Sequence, residues 1–284
     1  MTLSWAPAVP FVTIALAGAC AGGTAADDDG VVVDATAIDA RAIDAHAFDA
    51  YIVDAPPAVD AAAIEPGLAA WYRFEEVEGA TIVDATGHGH DGTLTGGAQR
   101  VLGKVGMGLR ILGGYVRVPA SPGLDFTQAA TVELWLKVPA STLGTGVFNI
   151  VSRGTGNSDD LFSINSSCGN VQTIFQHVSS APVGTTAPTT ACGALQADRW
   201  THIAIVNDGV HFALYLDGAM AAVGDQGGFL GAITNDLYVG RREQGVFVLA
   251  DGTIDELKWW TTARTAAQVC ADAGGTDSSG CAIP

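Results

Sequence analysis

His202-Ile203-Ala204-Ile205-Val206-Asn207-Asp208-Gly209, followed by His211-Phe212-Ala213-Leu214-Tyr215-Leu216-Asp217-Gly218, is the stretch that decides the fold. Two apolar runs are divided by Asn-Asp-Gly, and a second Asp-Gly closes the latter run before Met220–Val223 begins a third. Asp-Gly between apolar runs specifies a tight hairpin, because glycine takes the positive φ that such a turn requires. Three antiparallel strands in succession are therefore expected here.

Outward from this point the text stays β. Short β-branched and aromatic runs recur between clusters of Gly, Asn, Asp and Ser, at Ala69–Phe74, Tyr115–Val118, Thr131–Val138, Val147–Arg153, Leu161–Asn165, Val171–His177, Leu237–Val239 and Gly252–Trp260. No amphipathic helical stretch of ordinary length occurs until the end, where Thr265 and Gln268 make a capping box. The fold class is all-β, a two-sheet antiparallel sandwich with one short C-terminal helix. Gly67 to Cys270 is long enough for one domain with its own core. A tail, 271–284, follows it.

Several pieces carry a family resemblance. They are Trp71-Tyr72-Arg73-Phe74-Glu75-Glu76, Asp84-Ala85-Thr86-Gly87-His88-Gly89-His90-Asp91-Gly92, Gly114-Tyr115-Val116-Arg117-Val118-Pro119, Thr131 to Lys137, Arg199 to Ala204 with Leu214 to Gly218, and Gly252-Thr253-Ile254-Asp255-Glu256-Leu257. In this order they resemble the laminin-G-like, concanavalin A-like jelly roll of bacterial type. The resemblance implies a jelly-roll sandwich that recognises carbohydrate or protein, often with a structural calcium ion. It places that ion at Asp255, with Glu75 and the backbone around Asp84 and Gly87 as partners, since calcium takes six to eight hard oxygens.

Fold does not fix function, so the chemistry is sought in side chains. Glycoside hydrolysis needs two carboxylates flanking the scissile bond. The Glu-x-Asp-x-x-Glu strand of laminarinase-like relatives is absent, Glu76 and Glu78 end a strand, and Asp159-Asp160 diverge. No nucleophile elbow, zinc-protease motif or phosphate loop occurs. The expectation is a non-catalytic protein, with a glycoside hydrolase or its accessory module as an alternative. His88 and His90 suit left-handed turn positions as well as metal. On Thr131 to Lys137, Val132, Leu134 and Leu136 share one face and Glu133, Trp135 and Lys137 the other. Trp135 and Trp260 are the candidate sugar-stacking rings, because a sugar's C–H face wants an aromatic plate beside polar groups. His202 reads as a packed histidine.

The N-terminus reads as an export signal. An apolar run from Phe11 ends in Ala17-Gly18-Ala19 ahead of Cys20, which resembles a bacterial lipobox with Cys20 lipidated; ordinary signal peptidase cleavage is the alternative. This divides the chain into a signal peptide (1–19), a spacer (20–66), the domain (67–270) and the tail (271–284). In the spacer an apolar-Asp-Ala unit recurs at Asp34, Asp39, Asp44, Asp49, Asp54 and Asp60. A five-residue period matches neither strand nor helix, so no common apolar face forms. Residues 26–66 hold nine Asp and one Glu against one Arg, so this disordered acidic linker supplies −9 of the formal net charge of −17.

Four cysteines remain in a chain expected to be exported, which implies disulfides. Of three connectivities the local one, Cys168 with Cys192 and Cys270 with Cys281, is the most economical. The spacings match no zinc pattern. The charge excludes nucleic acid as a partner. No second apolar stretch spans a membrane, which leaves the lipid anchor as the one membrane contact. The expected protein is an outer-membrane or cell-surface lipoprotein, or else secreted, that binds polysaccharide or glycoprotein; a structural or adhesive role toward envelope proteins is the rival.

Overall fold

The computed structural model describes residues 64–155, 161–176, 188–224, 232–275 and Cys281. The export run, Cys20 and the acidic repeat lie outside the described residues. Within them the strands are β1 (Leu68–Tyr72), β2 (Thr81–Ile82), β3 (Gly92–Thr95), β4 (Ala98–Leu102), β5 (Met107–Ile111), β6 (Tyr115–Val118) and β7 (Ala130–Lys137). They continue as β8 (Phe148–Arg153), β9 (Leu161–Ser166), β10 (Gln172–Gln176), β11 (Thr201–Asn207), β12 (Phe212–Leu216), β13 (Ala219–Gly224), β14 (Leu237–Val239) and β15 (Gly252–Trp260). Helix α1 (Ala140–Leu143) follows β7, and α2 (Ala266–Asp272) follows β15.

Two antiparallel sheets form the sandwich. The first runs β13-β12-β11-β7-β15-β5-β4, with β1 also on β15; the second runs β10-β9-β8-β14-β6-β3-β2. The two Asp-Gly turns do what the sequence requires: Ile203 pairs with Leu216 and Asn207 with Phe212, and β12 then turns back onto β13. Asp217 itself takes φ 49° at the second turn.

The segment 81–111, for which the sequence offers no strand candidate, holds four strands. Its glycines serve close approach rather than chain reversal alone. A Cβ at Gly92 would stand 2.7 Å from Val116 Cγ1, and one at Gly108 would stand 3.0 Å from Gly103 Cα. Glycine in a strand weakens the propensity signal yet permits this packing.

The core lies between the sheets. Val132, Leu134 and Leu136 of β7 face it, as do Ile203 and Ile205 of β11 and Trp259 of β15. Trp259 stacks on Phe126 at 4.5 Å, and Phe162 meets both rings edge-on. The Arg153 guanidinium, 1% exposed, donates to the carbonyls of Leu124, Ser121, Ile233 and Asn235 and pairs with Asp125 at 2.8 Å. A buried charge survives only with such complete pairing.

Helix α2 begins at the expected capping box: Gln268 N–H donates to Thr265 Oγ1 at 3.2 Å and Thr265 N–H to Gln268 Oε1 at 2.9 Å. Its Val269 packs on Ala204, Val206 and Tyr215, so the helix roofs part of the first sheet's outer face. Disulfides join Cys168 to Cys192 and Cys270 to Cys281. No helix among the described residues is long and apolar enough to cross a membrane.

Candidate functional site

Strand alternation turns Glu133, Trp135 and Lys137 of β7 away from the core, and register assembles their neighbours. His202 of β11 lies opposite Trp135 and Ala204 opposite Glu133. On the other side Asp255 of β15 lies opposite Trp135 and Lys258 opposite Glu133, while Trp71 of β1 lies opposite Lys258. The pairing slips between Asp255 and Lys258, and Glu256 there takes φ 51°. A bulge with a non-glycine residue in the left-handed region re-aims a side chain at some expense of strain. Here the Glu256 carboxylate is swung onto Trp71, whose Nε1–H donates to it at 2.7 Å.

A cleft of about 290 Å³ opens on this face, lined by Trp71, Arg73, Glu133, Trp135, His202 and Glu256 among others. At its base Glu133 is 1% exposed, with Arg264 Nε at 3.1 Å and His202 Nε2 at 3.5 Å. Burial pushes the Glu133 carboxyl above its ordinary range, against the pull of His202 and Arg264. Burial likewise raises Glu256, which the Trp71 hydrogen bond and Arg73 at 3.7 Å oppose. Lys258 Nζ pairs with Asp272 at 3.2 Å.

A larger cleft of about 570 Å³ lies farther along β7, lined by Leu102, Arg110, Lys137, Asp198 and Asp251 among others. Arg110 grips Asp251 through two hydrogen bonds of 2.8 and 2.6 Å. The chain between Leu102 of this cleft and Val105 of the smaller one is pinned to the sheet: Lys104 and Val105 N–H donate to Asp255 Oδ2 at 2.7 and 2.9 Å. Glu256 N–H donates to Asp255 Oδ1 at 2.8 Å. Burial pushes the Asp255 carboxyl up to about 7 despite these donors. Glu75 holds the same turn, accepting Met107 N–H at 3.1 Å.

Every described indole except the core Trp259 carries a cation. Lys104 Nζ lies 4.2 Å from the Trp135 ring centroid, Lys137 Nζ 4.9 Å from Trp200, Lys258 Nζ 5.5 Å from Trp71, and the Arg264 guanidinium 4.0 Å from Trp260. This corrects the reading of Trp135 and Trp260 as stacking plates. At 7% and 2% exposure, with cations over them, neither ring offers an open face to a sugar. Alternation put Trp135 on the outer face of the sheet and left open which of Trp259 and Trp260 is core, and it could not reveal that Lys104 and Arg264 lie over the two rings. His202 is buried, as expected, but on this outward face, tilted against Trp135 at 5.1 Å.

The four residues assigned to calcium do not make one cage. Asp255 and Glu75 meet at the Lys104 turn, whereas Asp84 organises the separate 84–91 loop that includes Gly87, accepting from Trp71 N, Thr86 N and Oγ1, and His90 N. The carboxylates of Glu75, Asp84 and Asp255 accept N–H hydrogens in this arrangement. His88 Nδ1 lies 3.1 Å from the Ala69 carbonyl. Among the described residues no group of three His, Cys, Asp or Glu is placed to hold a metal. Sequence reasoning missed Trp71, Lys104, Glu256 and Lys258 as site residues. The bulge at Glu256 lies in the pairing of β15 with β7, and no local pattern announces it.

A family model described as the concanavalin A-like lectin/glucanases superfamily matches residues 112–270, more than half of the chain. Among solved structures, domain 4 of AbnA, an extracellular arabinanase from Geobacillus stearothermophilus in complex with arabinotriose, superposes with a TM-score of 0.58 at 23% identity, covering 72% of this chain and 97% of that one. The ligand-binding domain of Botulinum neurotoxin serotype D, in complex with N-acetylneuraminic acid, gives 0.57 at 13% identity, with 75% and 52% covered. Trypanosoma rangeli sialidase gives 0.54 at 15% identity, with 72% and 32% covered. The chain thus spans about half of the toxin domain and a third of the sialidase, and at these identities the likeness is one of fold. No curated protein matches it in sequence.

Proposed function

The chain belongs to the concanavalin A-like lectin/glucanases superfamily, and on that premise we propose that it is a non-catalytic recognition module for extracellular carbohydrate or glycoprotein, carried on the acidic spacer. The observation that carries the reading is the pair of clefts on one sheet face, both lined by charged side chains and the smaller also by the indoles of Trp71 and Trp135. Two structural neighbours were solved with sugars bound, which supports a glycan as the ligand class. A hydrolase would need two carboxylates free to act across an open gap. Here Glu133 is held by Arg264 and His202, and Glu256 by Trp71 and Arg73.

Lipidation of Cys20 would place the domain at the cell surface. A tether there would raise the local concentration of a weak site. A glycan array on the mature protein, with reducing-sugar release assayed in parallel, tests the function. Binding without release is expected. Hydrolysis abolished by changing Glu133 or Glu256 would replace this reading with a glycosidase. One observation favours protein contact instead: Met220 and Val223 on edge strand β13 are each 60% exposed. A silent array with capture of an envelope protein, lost in Met220→Ser/Val223→Ser, would establish that second reading.

A further inference from the structure

The chain has three lysines, and each lies over an indole on this one sheet face. In a chain with 30 Asp and Glu against 13 Lys and Arg, a lysine without a carboxylate is an exception. Lys258 has one in Asp272, but among the described residues neither Lys104 nor Lys137 makes an ion pair. Each is held instead by a ring, Trp135 or Trp200. The rings therefore position ammonium groups rather than stack on sugars, so the face presents two cations held in place. The two lysines serve neighbouring positions: Trp135 and Lys137 are two residues apart on β7, roughly 7 Å along a strand.

Resting on the proposed function of this face, we infer that the ligand is an acidic polysaccharide whose carboxylates meet Lys104 and Lys137. Non-specific attraction cannot supply such binding, because a chain of net charge −17 repels polyanions as a whole. The affinity must come from a local array of cations, held in place before the ligand arrives, and preorganisation of that kind is what spares a weak site its ordering entropy. The Arg110–Asp251 and Lys258–Asp272 pairs border the same clefts as neutral units; Asp198, Glu133 and Glu256 line them too, and Lys104 and Lys137 are the lysines of this face without an ion pair among the described residues.

The test is affinity electrophoresis and biolayer interferometry of the mature full-length protein against polygalacturonate, alginate and neutral arabinan. Fully methyl-esterified polygalacturonate is the matched probe, since it keeps the sugar and removes the charge. The expected result is retention by an acidic polymer at least tenfold stronger than by its ester, weakening as salt rises. Lys104→Gln/Lys137→Gln should lose at least tenfold, while Lys104→Arg/Lys137→Arg keeps most of the binding. Both side chains are surface groups, and an unchanged melting temperature verifies the fold of each variant. Equal binding to acid and ester, or to arabinan, with the glutamine variant unaffected, overturns the inference and leaves glycan recognition standing. Binding to none of these polymers, with a silent glycan array, overturns both.

Discussion

Replacing Arg264 by methionine should convert a buried ion pair into a stranded charge. Arg264 faces Glu133, Asp272 and Glu65. Asp272 and Glu65 can turn toward water; Glu133, at 1% exposure beneath the smaller cleft, cannot. Removing one partner of a buried pair costs about 3–5 kcal/mol. Protonation of Glu133 caps that loss. Relative to an unfolded glutamate of pKa about 4.3, holding the carboxyl neutral costs about 4.4 kcal/mol at pH 7.5 and about 1.6 kcal/mol at pH 5.5. Burial already raises Glu133, so its neutral form favours the fold, and the variant should regain stability as pH falls. Urea unfolding at the two pH values should give a deficit of about 3–4 kcal/mol at pH 7.5, shrinking by more than half at pH 5.5. Adding Glu133→Leu should recover most of it, because an apolar replacement of the whole pair removes the uncompensated charge. A deficit below about 1 kcal/mol, or one independent of pH, would refute the reasoning.

Asp255, raised to about 7, favours the fold while protonated, so its contribution is lost as pH rises through 7. Asp255→Asn should flatten the slope of melting temperature between pH 6 and 8, and an unaltered slope contradicts the assignment. Cys168→Ser/Cys192→Ser, which opens a link across a sequence separation of 24, should cost about 3 kcal/mol in urea unfolding; crossed pairs in a non-reducing peptide map would remove the basis for that figure. EDTA should leave the melting temperature unchanged if the oxygens of Glu75, Asp84 and Asp255 serve backbone N–H groups, whereas a calcium-dependent rise lost in Asp255→Ala restores the ion. Mass spectrometry of the mature N-terminus should find a diacylglyceryl Cys20, and an unmodified terminus rules out the anchor.

The sandwich was legible wherever strands were apolar and turns carried Asp-Gly, as in β11, β12 and β13, because local propensity and packing agree there. It was illegible over 81–111, where glycines bring backbones together and weaken the strand signal. The outward face of β7 could be read from period two, but not what covers it. Trp135 was rightly placed on that face, but Trp135 and Trp260 were wrongly given an open surface, since Lys104, well before β7, and Arg264, beyond the end of β15, lie over them. The Glu256 bulge likewise depends on the pairing of β15 with β7, which is distant in sequence. Local sequence specifies faces and turns; long-range register decides which side chains meet.

Hydrogen–deuterium exchange of the mature protein, with and without the glycan that binds it most strongly, is the most direct test of the first sheet's outer face as the recognition surface. Protection should appear in the turn at Gly103–Met107 and in the Asp198–Trp200 approach to β11, the segments bordering the two clefts. Protection confined to the second sheet, with those segments exchanging at the free rate, would contradict it.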